Sequence, residues 1–179
     1  MKILNIEKAI KPKFTRINQV NYKENNVNKK WEYVESLNSV HILVFNADTN
    51  KFLLVKQLRI PVLMNQKGHN GYMIECCAGL VDKELSLIKI AKEEILEELG
   101  YNASNINFKD NLLSSVGLIG QNMSLFTSIV YNKDIINKGG GINNENIEIV
   151  EISIDDLFTL PNIDLVTAHM INTYARELV

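Results

Sequence analysis

The chain has 179 residues, 46% of them hydrophobic, enough for one substantial core with at most a small appended subdomain. A formal net charge of -2 and the lack of any Lys/Arg-rich patch argue against an extended nucleic-acid partner. No apolar run approaches the ~20 residues of a membrane span and the start, MKILNIEKAIKPK, lacks a signal-peptide core, so a soluble, cytoplasmic protein with no membrane partner is expected.

From Phe14 to Glu35 the sequence reads as two extended segments around an Asn-rich turn, a hairpin preceding the main domain, with Trp31 and Tyr33 on one face of the second segment. Val40 to Phe45 and Phe52 to Arg59 are strands whose apolar density predicts burial on both faces. Asn65 to Gly71 is a polar loop, and Met73 to Ala78 a strand running into a glycine turn. Cys76 and Cys77 are the only cysteines, and as neighbours in an apolar run they suit buried thiols better than a disulfide. A helix is predicted from about Leu87 to Leu99, with Ser86 as N-cap and Gly100 as stop. Beyond it come strands at Leu112 to Val116 and Leu125 to Tyr131, separated by GLIGQNM, and then GGGINNEN at Gly139 to Asn146, which reads as a flexible connector. Ile147 to Ile154 is extended, Asp155 to Leu160 a short helical turn, and Ile163 to Leu178 an amphipathic helix. The sum is a mixed sheet flanked by two helices.

The chemistry concentrates on the helix that opens at Leu87. Leu87, Ala91, Ile95 and Leu99 form an apolar stripe, while Glu94 and Glu98 stack one turn apart along its edge with Glu97 beside them. Like charges at this spacing destabilise a helix, so the cluster is either a solvated face or a place where cations offset the repulsion. Carboxylate oxygens on a rigid helix suit Mg²⁺, with Mn²⁺ as a substitute.

The stretch GLVDKELSLIKIAKEEILEELGY, Gly79 to Tyr101, resembles the Nudix box, G-x5-E-x7-R-E-U-x-E-E-x-G-U, at its full length. Glu94, Ile95, Glu97, Glu98, Gly100 and Tyr101 fall on its second half, whereas Leu85 and Glu93 replace the first glutamate and the arginine. Neighbouring Glu84 and Lys92 are the nearest substitutes in sequence. KKWEYVESLNSVHILVFN, LLVKQLR, IECCAGLVD, SSVGLIG and GGGINNENIEIVEI extend the likeness to the Nudix subgroup that hydrolyses nucleoside diphosphate sugars, the ADP-ribose, UDP-sugar and GDP-mannose pyrophosphatases.

The resemblance implies an α+β Nudix fold, a mixed sheet in an α/β/α sandwich, with residues 1–38 as a β extension used for dimerisation and substrate and 39–179 as the catalytic domain. It implies a homodimer whose extension reaches the partner's site, with Ala78 (backbone carbonyl), Glu94 and Glu98 as metal ligands and Glu97 as ligand or supporting carboxylate. It places Trp31 and Glu32 at the nucleobase, where a lone tryptophan would otherwise belong to the core, the loop from Gly117 at the substrate, and Glu145 as catalytic base with Glu148 as competitor. Arg59 matches the QxR motif: it is either a diphosphate clamp, since a guanidinium fork fits two phosphate oxygens, or a strand-end arginine with its charge in water. Glu75 is either a substrate or supporting contact or an edge-strand charge. ADP-ribose-preferring relatives carry a proline where Val116 stands, and the GLIGQNM loop is more like that of UDP-sugar members.

Overall fold

The computed structural model describes residue 5 and residues 15–142 and 145–179. Most of the expected N-terminal extension before Arg16, including Phe14, lies outside the described residues, as do positions 143 and 144 of the glycine-rich loop. The first two strands, β1 (Arg16–Glu24) and β2 (Val27–Glu35), pair antiparallel as a sheet of their own, with Val20 opposite Trp31. Asn25 and Asn26 turn the chain with φ of 49° and 63°, the left-handed pair that a two-residue hairpin needs to match strand twist. Nearly every residue of the hairpin is exposed. It is tied to the body where the Val34 N–H donates to the Leu118 carbonyl at 2.8 Å and the Trp31 indole N–H to the Gly117 carbonyl at 3.1 Å.

The main sheet contains β3 (Ser39–Asn46), β4 (Lys51–Leu58), β5 (Tyr72–Glu75), β6 (Cys77–Leu80), β7 (Asn105–Ser114), β8 (Gln121–Val130) and β9 (Glu148–Ser153). Its central path runs β5-β4-β3-β8-β7, with β6 also on β3 and β9 also on β4. The β3–β8 pair is parallel and the others antiparallel, so the sheet is mixed as expected. Its two faces carry two cores. Val40, Ile42 and Val44 pack with Leu53 and Val55 against Ile90, Ala91, Ile95 and Leu99. Leu43, Phe45, Phe52 and Leu54 face Leu157, Met170 and Ile171 instead. This double burial is why β3 and β4 read as unbroken apolar runs.

The helices are α1 (Ile60–Asn65), α2 (Leu87–Glu94), α3 (Ile154–Leu157) and α4 (Leu165–Tyr174). α2 covers one face and α3 with α4 the other, giving the α/β/α sandwich. Four differences from the sequence reading stand out. Pro61 at the first turn of α1 starts a helix where only strand end and loop were expected, its missing N–H costing nothing there. Met73 to Ala78 is two strands, because the Cys76 N–H donates sideways to the Thr167 hydroxyl at 2.8 Å and the chain crosses from β4 to β3. β7 begins at Asn105, well before Leu112, and ends at Ser114, just short of Val116, with a bulge between Phe108 and Asp110. The Glu-rich end of the helix is a π-helical turn, Ile95–Leu99, stopped by left-handed Gly100 as expected. Cys76 and Cys77 are free and buried.

Candidate active site

The β6 turn and α2 are packed so closely that the site depends on a missing side chain. A Cβ on Gly79 would overlap Cδ and Oε1 of Glu94 and lie 2.6 Å from its Cγ, so the carboxyl group of Glu94 occupies the space a side chain would fill. One residue earlier, the Ala78 N–H donates to Oε2 of Glu98 at 3.1 Å. The strand end Ala78–Gly79 therefore fixes both helix carboxyls from beneath.

Burial and mutual repulsion make this an unfavourable place for two anions. Glu98 is only 5% exposed, and desolvation first, with repulsion from Glu145 opposed by the hydrogen bonds from Cys77 and Ala78, pushes its pKa up to about 7. Glu94 is pushed to about 7 by burial and then by the charges of Glu98 and Glu97. A divalent cation would reverse both effects, and the local donors are all oxygens: Glu94, Glu97, Glu98 and the Ala78 carbonyl. Such a set, with the Gly79 cradle, fits a hard ion that keeps some of its water. Among the described residues no three His, Cys, Asp or Glu side chains converge closely enough to hold an ion by themselves.

These groups open into a cleft of about 990 Å³ that also takes in Gln57, Arg59, Lys83 and Glu145. Arg59 is held from behind by Glu75: its Nε lies 2.8 and 3.1 Å from the two carboxylate oxygens and its Nη2 also pairs with Oε2, leaving Nη1 free of Glu75. Glu75 sits on the outer strand β5 but is buried, takes a further bond from Gln57 at 3.3 Å and does not line the cleft, so of the two readings it is the supporting contact, the group that orients Arg59. Glu93 pairs with Lys83 at 2.7 Å and ties the turn before α2 to the helix, while Glu84 does not line the cleft.

The glycine-rich loop is not the slack connector that its sequence implied. Gly139, Gly140 and Gly141 have φ of 62°, 99° and 84°, and the N–H groups of Gly140 and Gly141 donate to the carbonyls of Glu98 and Glu97 at 2.8 and 3.0 Å. The loop thus satisfies carbonyls at the helix end that would otherwise lack partners. Glu145 already lines the cleft, its Oε2 accepting from the Ile142 N–H at 3.1 Å. Glu148 faces away and pairs with Lys56 at 3.0 Å.

The structure thus brings together Arg59, Ala78, Glu94, Glu97, Glu98 and Glu145. Trp31, Glu32 and Gly117 do not line this cleft. The Trp31 indole is 54% exposed and engaged with Gly117 of its own chain, because the hairpin leans on the 114–121 loop. Sequence reasoning missed Ser39, His41 and Asp164, which line the cleft opposite the carboxylates. Each is a lone polar residue with no motif around it.

No family model matches the chain. A mouse protein named uridine diphosphate glucose pyrophosphatase NUDT14 is 30% identical over 166 residues, covering 76% of this chain and 75% of the relative. A protein of Shigella flexneri serotype 5b named GDP-mannose pyrophosphatase is 31% identical over 126 residues, covering 70% of this chain and 65% of the relative. Among solved structures, one titled as an ADP compounds hydrolase matches with a TM-score of 0.72 at 18% identity, over 98% of this chain and 92% of the other, a likeness of fold. Similarity running along three quarters of the mouse relative, joined to a shared fold and a glycine turn locked under the helix glutamates, places the chain in the Nudix hydrolase family, in its nucleoside diphosphate sugar pyrophosphatase subgroup.

Proposed function

We propose that the protein hydrolyses the diphosphate bond of nucleoside diphosphate sugars, giving a nucleoside monophosphate and a sugar phosphate, with Mg²⁺ as the natural cofactor and Mn²⁺ as a substitute. The observation that carries this reading is the pair of desolvated carboxyls, Glu94 and Glu98, held by the Ala78–Gly79 turn and facing Arg59 across one cleft. Glu94 and Glu98, with the Ala78 carbonyl and Glu97, would hold the ion, which when bound neutralises diphosphate oxygens and lowers the pKa of water. Arg59 orients the diphosphate through the Nη1 that Glu75 leaves free, a charge-assisted contact to phosphate oxygens. Glu145 takes the proton of the attacking water or orients it, and its place in the cleft favours it over the outward-facing Glu148. Most of the rate would come from positioning and fixed charge.

The names of the relatives point to UDP-glucose and GDP-mannose, and the fold relative's title to ADP compounds. We place UDP-glucose and ADP-ribose among the substrates and nucleoside triphosphates among the poor ones. The protein would act as a homodimer, since a two-stranded hairpin exposed on both faces is marginal without a further surface. Trp31 and Glu32 would then serve the partner's site, as they do not line their own. The test is a panel of nucleotide sugars, dinucleotides and nucleoside triphosphates with Mg²⁺ or Mn²⁺, read as monophosphate release. A tenfold or greater preference for a triphosphate, or binding of nucleotide sugars without turnover, would overturn it.

A further inference from the structure

The cleft has a second wall that the carboxylates do not use. Along β3, Val40, Ile42 and Val44 face α2, so Ser39 and His41 project to the opposite side, toward α4, together with Leu43 and Phe45. His41 is paired with Ala78 across β3 and β6, which puts the two side chains on one face and His41 next to the turn that fixes Glu98. Asp164, at the N-terminus of α4, lines the same part of the cleft with Val166, Met123 and Leu112.

The polar groups here are arranged but not used up. The Ser39 hydroxyl lies 2.9 Å from His41 Nε2, and no hydrogen bond to His41 Nδ1 is formed among the described residues. Asp164 Oδ1 caps α4 by accepting from the Thr167 N–H at 2.9 Å, while Oδ2 has no hydrogen-bond partner among the described residues. His41 is partly buried in the cleft wall, and its ring keeps Nδ1 for a further hydrogen bond. Arg59 lines the same cleft as both walls, with His41 and Glu98 each within reach of its charge. A diphosphate on Arg59 would therefore direct one of its two substituents toward Ser39, His41 and Asp164.

The lining discriminates between those substituents. No Phe, Tyr or Trp lines the cleft among the described residues, which leaves a base only the small His41 ring and the Arg59 guanidinium to stack on. A hydroxyl, an imidazole with one ring nitrogen open and a free carboxylate oxygen between apolar walls instead match the hydroxyls of a sugar. From this geometry we propose that Ser39, His41 and Asp164 form the subsite that binds the sugar hydroxyls of the substrate and set the preference for a sugar on the distal phosphate. This rests on the nucleotide-sugar reading and adds to it the residues that read the sugar.

The test compares UDP-glucose with the methyl ester of UDP, which keeps base and diphosphate but has no distal sugar. His41→Val and Ser39→Ala are measured with both, and Asp164→Asn, which keeps an oxygen for the helix cap, guards against loss of folding. The expected result is a fall of about tenfold or more in kcat/KM for UDP-glucose, the size of a lost hydrogen bond, with less than a twofold change for the methyl ester. Equal losses on the two substrates, or no loss on either, would overturn the proposal. Calorimetry with Ca²⁺ in place of Mg²⁺ separates the two readings. Sugar-dependent binding that is lost in His41→Val, without wild-type hydrolysis, sinks the hydrolase reading and keeps the subsite. Wild-type hydrolysis with unchanged sugar discrimination in the variants does the reverse. Neither sugar-dependent binding nor hydrolysis sinks both.

Discussion

Replacing Gly79 by Ala adds one methyl group at the tightest contact in the site. Its φ is not in the left-handed region, so the backbone accepts alanine and the whole penalty falls on Glu94. At 2.6 Å the new Cβ is 0.8 Å short of the 3.4 Å of ordinary contact with Glu94 Cγ, and the carboxyl atoms beyond are closer still. The backbone of α2 is pinned by buried Ile90, Ala91 and Ile95, so the side chain must leave its well rather than the helix shift. An off-rotamer side chain costs about 0.5–1.5 kcal/mol, a small loss for the fold. A ligand displaced by about 1 Å costs roughly 10²-fold in rate. Gly79→Ala should therefore melt within a few degrees of wild type while needing far more Mg²⁺ and losing about two orders of magnitude in turnover. A Mg²⁺ titration of monophosphate release, beside a thermal melt, measures both. Wild-type Mg²⁺ dependence in a folded Gly79→Ala protein would refute the cradle, and with it the placement of Glu94 as a ligand.

The remaining expectations concern charge and assembly. Glu98→Gln keeps the Ala78 hydrogen bond but removes the charge, so turnover at limiting Mg²⁺ should collapse; a wild-type rate there would remove Glu98 from the ligand set. Glu145→Gln should lower kcat sharply with little change in binding, and an unchanged rate with Glu148→Gln impaired would move the role to Glu148. Because the folded pKa values of Glu94 and Glu98 lie near 7, above an ordinary carboxyl, the metal-free fold binds more protons than the unfolded chain between about pH 4.5 and 7. Its stability should fall as pH rises through that window and level off above it, and Mg²⁺ should restore it most above pH 7; melting curves in EDTA that rise across the window would contradict this. Light scattering at micromolar concentration should give twice the chain mass, and a fully active monomer would end the cross-subunit role of Trp31.

Local signals carried a large part of this molecule into view before its structure. The Asn25–Asn26 turn, the double-faced apolar runs of β3 and β4, and Gly100 as helix stop each depend on neighbours within a few residues. Glu94, Glu97 and Glu98 were legible because helical period alone brings them together. Pro61 was also a legible sign of a helix start, but the six residues of α1 are too few for a periodic pattern. The division of β5 from β6 hinges on the hydroxyl of Thr167, far along the chain, which no local pattern contains. Ser39, His41 and Asp164 were illegible for the same reason: only the sheet register and the placement of α4 make neighbours of residues over a hundred positions apart.

The Gly139–Gly141 segment also acts as a splice between two working parts. Its amides close the hydrogen bonding at the very residues, Glu97 and Glu98, that we propose serve the cation, and Glu145, four positions beyond Gly141, lines the cleft. Fraying of the helix end and departure of the loop are consequently one event rather than two, since each would leave the other's backbone groups without partners. The run of three glycines therefore sets how far along the chain Glu145 falls from the helix end. One residue more or fewer would shift Glu145 by up to ~3.5 Å while leaving Glu94 and Glu98 in place.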